Sequence, residues 1–251
     1  MSNFAPAVEA AAQIVSFLSA CECEMGISEI SRGTHINKNM VFRILNSLEK
    51  EGWVYCSDQK YSLTLLPFRL ASTALARLPL SRAATPVLCE LAGETGESTY
   101  LGVLKGDKVL YIQHLDGVKD VRVAGRVGGE YGLYCSAPGK ALLAYADSDF
   151  IEKFLSGELE KRTENTITER TALLSELEEI RKNGYAVDRE EFGNGITCVA
   201  APVFDHTGKA VGAVGCSAFT LNGNSDEVIA RLRPPVMKSA ETLSVRLGYG
   251  K

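Results

Sequence analysis

The sequence has no run approaching the roughly 18 to 20 consecutive apolar residues that a membrane span needs. Its opening, MSNFAPAVEAAA, lacks both the basic start and the long apolar block of a secretory signal, so a soluble, cytoplasmic protein is expected. Positive charge is not in surplus: 27 Lys and Arg stand against 31 Asp and Glu, a net charge of -4, and composition alone does not advertise nucleic-acid binding. Histidine is scarce. The 3 present, His35, His114 and His206, fall in a predicted turn, a strand end and a hairpin turn, and no nucleophile-base-orienter set forms around them. The glycines between 125 and 139 do not follow a phosphate-loop pattern. The 7 cysteines, at 21, 23, 56, 89, 135, 198 and 216, are odd in number and scattered, which argues against a disulfide framework. Cys21 and Cys23 have no second pair at zinc spacing, so neither metal nor cofactor is expected. No internal repeat or low-complexity segment appears.

What is present is a hydrophobic content of 45% in 251 residues, enough for a sizeable core and more consistent with two domains than one. Residues 8 to 20 read as a helix with Val8, Ala11, Ala12, Val15 and Leu18 inward; Ile27 to Ser31 gives a short second helix that Gly33 should stop. Asn37 to Lys50 reads as a third helix, its end marked by Gly52. On this helix Val41, Ile44, Leu45 and Leu48 share one face, while Asn39, Arg43 and Asn46, with Phe42 beside them, fall opposite. Asn can pair with adenine and Arg with guanine through two hydrogen bonds each, so this face suits base edges, although an ordinary solvated face looks the same.

Residues 53 to 56, the turn Ser57-Asp58-Gln59-Lys60 and residues 61 to 63 read as a hairpin wing. Lys60 near its tip could reach a phosphate. Residues 1 to 65 hold five Lys and Arg against seven Asp and Glu, yet Arg32, Lys38, Arg43, Lys50 and Lys60 all follow the acidic cluster Glu22, Glu24 and Glu29. Local potential matters more than the sum. The DNA-contact candidates are therefore Lys38, Asn39, Phe42, Arg43, Asn46 and Lys60. Leu65 to Leu78 reads as a linker helix with Pro67 in its first turn and Pro79 closing it.

Beyond Ser81 the pattern alternates. Helices are predicted at 86–92, 139–146, 149–155, 168–183 and 225–247, and strands at 97–104, 108–115, 121–126, 185–188, 196–204 and 210–218. Strands joined by hairpins, with helices gathered around them, imply an α+β domain with a largely antiparallel sheet. The expected division is 1–64 for a winged helix-turn-helix, 65–80 for the linker helix and 81–251 for a larger sensing domain.

RVGGEYGLYCSAPGKALLAY (126–145) and GYAVDREEFGNGITCVAAPVFDHTGKAVGAVGCSA (184–218) resemble the IclR family of bacterial transcription regulators. ISEISRGTHINKNMVFRILNSLEKEGWV (27–54) is similar to that family's helix-turn-helix, and TENTITE (163–169) also matches. The resemblance implies a GAF/PAS-like α/β effector domain and assembly as a homodimer or homotetramer on double-stranded operator DNA, with control of carbon-source genes by a small-molecule effector. It implies an effector site at Ala137-Pro138-Gly139, Asp188, Ile196 and Cys198, with Gly215 and Ser217 on the last strand. Asn39-Met40 replaces the family's usual Ser-Thr pair, Tyr134 stands where His is usual, and Gly215 stands where Ser is often found.

From the residues themselves, Ser136 is a good cap for a helix starting at Ala137, whose first amides attract a carboxylate. Asp188 would accept hydrogen bonds from ligand hydroxyls. A small hydroxylated organic acid is the expected effector. Two other readings stand beside this one: a redox-sensing regulator using Cys198 or Cys216, and an enzyme on a GAF-like domain.

Overall fold

The computed structural model describes residues 5–70, 79–220 and 224–250. The chain divides into two compact units, at Leu75/Ala76. In the first unit, α1 (Pro6–Ala20) opens on Pro6 at the first helical position, where a missing N–H costs nothing. It buries Ala10, Ile14 and Leu18, whereas Val8 is 69% exposed. This corrects the expected face. With so many alanines the pattern is degenerate, and the large residues Ile14 and Leu18 decide which stripe turns inward.

The second helix, α2 (Ile27–Thr34), starts where Glu29 Oε2 accepts the Gly26 N–H at 2.8 Å. It ends at His35, which takes the left-handed conformation at φ 59°. Gly33 is not the stop: a Cβ there would lie 2.1 Å from the Phe17 ring, so this glycine lets α1 and α2 approach. Helix α3 (Lys38–Lys50) is capped by Asn37, whose Oδ1 accepts the Met40 N–H at 2.9 Å. Strands β2 (Val54–Ser57) and β3 (Lys60–Leu63) are joined by Asp58 and Gln59, both left-handed, the turn whose twist matches a hairpin. A two-residue strand, β1 (Met25–Gly26), pairs with β3 and is too short for any periodicity to reveal. Ile14, Ile30, Val41, Leu45, Val54 and Tyr61 form the core. Residues 66–70 are helical; the rest of the expected linker helix, 71–78, lies outside the described residues.

In the second unit α4 (Pro79–Thr95) begins at Pro79, where a helix end was expected, and carries Pro86 internally. Proline suits a first turn as well as a position after a last one, so sequence alone had two consistent placements. Strands β4 (Ser98–Lys105), β5 (Lys108–Leu115), β6 (Glu130–Gly132), β7 (Ala186–Arg189), β8 (Ile196–Phe204) and β9 (Ala210–Phe219) form one antiparallel sheet in the order β6-β5-β4-β9-β8-β7. The strand expected at 121–126 is absent. That segment crosses as a loop, with Val121 63% exposed and Val123 O accepting from Ser98 Oγ at 2.8 Å. The free side of β5 is taken instead by 128–132, through Gly128 N to Tyr111 O and the β6 register Lys108↔Gly132.

Side chains alternate across the sheet. Thr99 and Cys216 turn to α4, bonding Leu88 O and Thr95 Oγ1. Tyr100, Cys198, Ala200 and Ala213 turn the other way, into a core with Ala137 and Ala141 of α5 (Ala137–Leu143) and with α6 (Ser148–Leu155) and α7 (Arg170–Asn183). Helix α8 (Ser225–Arg246) packs on α4, β8 and β9. Among the described residues no helix is long and apolar enough to cross a membrane.

Candidate functional site

Two surfaces carry chemistry, one in each unit. On α3, Val41, Ile44 and Leu45 are buried, and Lys38, Asn39, Phe42, Arg43 and Asn46 are exposed. The Lys38, Asn39, Arg43 and Asn46 side chains bond no other described residue, so their donors are uncommitted. Lys60 is exposed at the first position of β3, immediately after the wing's turn. Periodicity alone had separated these faces correctly.

In the second unit a cavity of about 80 Å³ opens between α5, the sheet and the 116–129 segment. Pro138, Asp188, Ile196, Cys198 and Ser217 line it together, though they come from four separate stretches of chain. Ala137, Gly139 and Gly215 lie beside it without lining it. Gly139 has a packing reason: a Cβ would sit 2.4 Å from Gly132 O, so α5 rests directly on the 132–133 backbone. The remaining wall is aromatic and was not read from the sequence: Tyr111, Tyr131, Phe192 and His114, with Val123 to Gly125 across them. Tyr111 stacks between Tyr100 (4.6 Å) and Tyr131 (4.1 Å), and Tyr131 meets Phe192 at 5.5 Å. The signal was available, since Tyr131 and Phe192 sit inside the two motifs quoted above, and an aromatic beside a candidate polar contact is a usual pocket lining.

The polar groups are largely committed. Ser136 Oγ donates to Gly132 O at 2.6 Å and accepts the Gly139 N–H at 3.2 Å. With Pro138 lacking a donor and α5 only two turns long, the helix start offers an anion less than its sequence suggested. Asp188 Oδ1 accepts the amides of Glu191 (2.7 Å) and Phe192 (3.2 Å). Burial, with the Glu191 carboxylate adding to it, pushes the Asp188 carboxyl up to about 7. Cys198 Sγ and Ser217 Oγ bond each other at 3.1 Å. Burial lowers the His114 imidazole, so it enters neutral at pH 7.

Lys140 is fully buried one residue beyond Gly139. Its Nζ meets Glu191 Oε1 at 2.6 Å and Glu176 Oε1 of α7 at 2.9 Å. Burial alone would lower this ammonium, but the two carboxylates outweigh it and hold it above its ordinary value. The TENTITE segment fastens the same corner: Thr163 Oγ1 donates to Glu190 O and Thr166 Oγ1 to Glu191 O, each at 2.7 Å, and Asn165 Nδ2 donates to Arg189 O at 3.1 Å. Asp188 and Phe192 are thereby fixed from outside the cavity.

The thiols do not resemble sensors. Burial pushes Cys198 well above its ordinary value and Cys216 up to about 12, opposite to the shift that a reactive thiolate needs. Among the described residues no cluster of His, Cys, Asp or Glu could hold a metal.

Residues 72–245 match the family described as bacterial transcriptional regulator IclR C-terminal, and residues 7–56 match the IclR helix-turn-helix domain. The HTH-type transcriptional regulator KdgR of Escherichia coli (strain K12) is 36% identical over 231 residues, covering 91% of this chain and 88% of that protein. The crystal structure of an IclR transcriptional regulator from Alicyclobacillus acidocaldarius superposes with a TM-score of 0.86 at 30% identity, over 98% of this chain and all of the other (100%). An IclR homologue from Microbacterium hydrocarbonoxydans, solved in complex with 4-hydroxybenzoate, shares the fold with a TM-score of 0.83 at 22% identity, covering 96% and 98% of the two chains.

Proposed function

The chain belongs to the IclR family of bacterial transcription regulators, and from that premise we propose how its two units divide the work. It is a DNA-binding regulator with an effector-binding C-terminal domain. Residues 1–64 read operator DNA, 65–80 link, and 81–251 sense. Arg43, Asn39 and Asn46 contact base edges in the major groove; Lys38 and Lys60 contact phosphates, and Phe42 packs against the groove wall. The protein acts as a homodimer or homotetramer, since a two-fold assembly matches paired half-sites on an operator, and without turnover of its ligand.

The effector in this reading is a small organic acid carrying a hydroxyl group. One observation carries it: Pro138, Asp188, Ile196, Cys198 and Ser217 meet at a single partly open cavity with aromatic walls and a few polar groups. That mixture is what orients a small, partly polar ligand. Oδ1 of Asp188 is committed to two amides, so exchange with a ligand hydroxyl falls to Oδ2. The bound 4-hydroxybenzoate of a homologue with this fold is an acid of the same chemical type. At about 80 Å³ the cavity is well below the roughly 300 Å³ at which drug-sized sites begin, so the ligand is very small or the 116–129 segment moves to admit it.

A thermal-shift screen tests this. Hydroxy acids, sugar acids and hydroxybenzoates should raise the melting temperature, and Asp188→Asn should diminish that rise. If neutral aromatics stabilise the protein and none of the acids does, the reading is wrong.

A further inference from the structure

Three buried side-chain atoms have no hydrogen-bond partner among the described residues: Tyr100 Oη, Gln113 Oε1 and Glu191 Oε2. Gln113 uses its amide nitrogen on Ser81 and Thr85, and Glu191 uses Oε1 on Lys140. The Tyr100 hydroxyl makes no hydrogen bond of good geometry with any described residue, the Tyr111 hydroxyl being its polar neighbour, although a buried phenol nearly always finds a full partner.

Its position is informative. Tyr100 lies opposite Gly215 in the β4–β9 register, on the sheet face that holds Ser217 and Cys198. A Cβ at residue 215 would be 2.6 Å from Tyr100 Oη and 2.4 Å from Val199 O, so the phenol end occupies the space a side chain there would take. Its ring stacks on Tyr111, a cavity wall, at 4.6 Å and 13°. The other floor groups are committed: Ser217 to Cys198, Ser136 to Gly132 O, and Asp188 Oδ1 to two amides. The nearby buried ammonium, Lys140, is held by Glu191 and Glu176. An acid entering here must be met by neutral donors, and the Tyr100 hydroxyl, behind the lining side chains and not itself among them, is a buried donor that makes no hydrogen bond of good geometry among the described residues.

We infer that Tyr100 is a specificity-determining residue, its hydroxyl donating to a carboxylate or carbonyl oxygen at the inner end of the effector, with Gly215 left bare so that the phenol can lie there. The inference rests on the effector reading above. Ser217 and Cys198, which line the cavity on the same sheet face as Tyr100, hold each other at 3.1 Å, so the ligand reaches the hydroxyl by displacing lining side chains. Burial keeps the phenol protonated, and so a donor, far beyond neutral pH. A ligand whose inner end is a methyl group leaves the hydroxyl unpaired and is rejected.

The test uses the full chain and Tyr100→Phe, measured by thermal melts without ligand and by calorimetric titration with 4-hydroxybenzoate and with gluconate. The ligand-free variant should melt at the same temperature as the native protein or about 1 to 4 °C higher, because an unsatisfied buried group has been removed. Whichever acid the native protein binds should bind the variant roughly 10- to 100-fold more weakly. A lower melting temperature in the free variant means that the hydroxyl already has a structural partner and overturns the inference. So does equal affinity of the two proteins for an acid that the native protein binds. If neither acid binds the native protein, the effector reading fails and this role for Tyr100 fails with it, whereas binding of an acid with equal affinity by the two proteins overturns the role of Tyr100 alone.

Discussion

The two chemical surfaces handle polar groups in opposite ways. On α3 the Asn39, Arg43 and Asn46 side chains stand in solvent with no described partner, held only by the helix beneath them. Around the cavity the polar side chains are mostly buried, neutral or paired, and held by further residues outside. Exposed groups in a high dielectric can wait for a partner at little cost, and their charge acts over the screening length of about 8 to 10 Å. Buried groups cannot wait, because each unpaired one costs free energy. A surface that meets DNA can therefore be left open, whereas a site that tells one small molecule from another has to be built in advance.

If that contrast is real, breaking the buried network should cost far more stability than any change on α3. Lys140→Met leaves Glu191 buried without its counter-charge and should destabilise the C-terminal unit by about 3 to 5 kcal/mol in denaturant unfolding. A loss under 1 kcal/mol would mean that the network is not rigid. Asp188→Asn sharpens the same side. The folded carboxyl sits near 7, above its unfolded value of about 3.9, so its stabilising proton is fully held below about pH 4 and lost as pH rises through 7. The Asn variant should match the native protein near pH 4, gain on it between pH 4 and 7, and level off above that about 2 to 4 kcal/mol more stable. A difference independent of pH would contradict a raised Asp188.

On the open surface the effects are smaller and appear in DNA binding alone. Arg43→Ala should cost specific binding about 1 to 3 kcal/mol and relax discrimination at one base pair, with the melting temperature unchanged. Unaltered operator affinity would mean that the recognition face is misplaced. Lys60→Ala should weaken all sequences alike and reduce the salt slope by about 1. A sequence-dependent loss would make Lys60 a base contact instead.

The same contrast explains what the sequence revealed. Elements with a strong period were legible: β8 was expected at its observed bounds of 196 and 204, and α3 differed by one residue at its start, where Asn37 became the cap. The exposed face of α3 follows from periodicity because nothing else touches it. The loop at 121–126 was misread because Val121, Val123 and their neighbours alternate like a strand, while the partner edge they needed was taken by residues 128–132. Pro138, Asp188, Ile196, Cys198 and Ser217 were singled out through motifs and share the cavity; the aromatic wall was not read, because Tyr111 of β5, Tyr131 of β6 and Phe192 of the loop after β7 are brought to one cavity only by the fold. Glycines were the most ambiguous letters. Gly33 looked like a helix stop and instead lies inside α2 where the Phe17 ring leaves no room for a Cβ, and Gly139 has a packing reason besides the ligand contact that the motif implies.

The central claim is that occupancy of the cavity controls DNA binding by the other unit. It is tested most directly by fluorescence anisotropy of the intact protein on an operator selected from random DNA, titrated with the acid that best stabilises it, for the native protein and for Asp188→Asn. The expected result is equal operator affinity without ligand, a clear ligand-dependent shift in the native protein, and a shift displaced to at least about tenfold higher acid concentration in the variant. An identical ligand response in the two proteins would contradict the account.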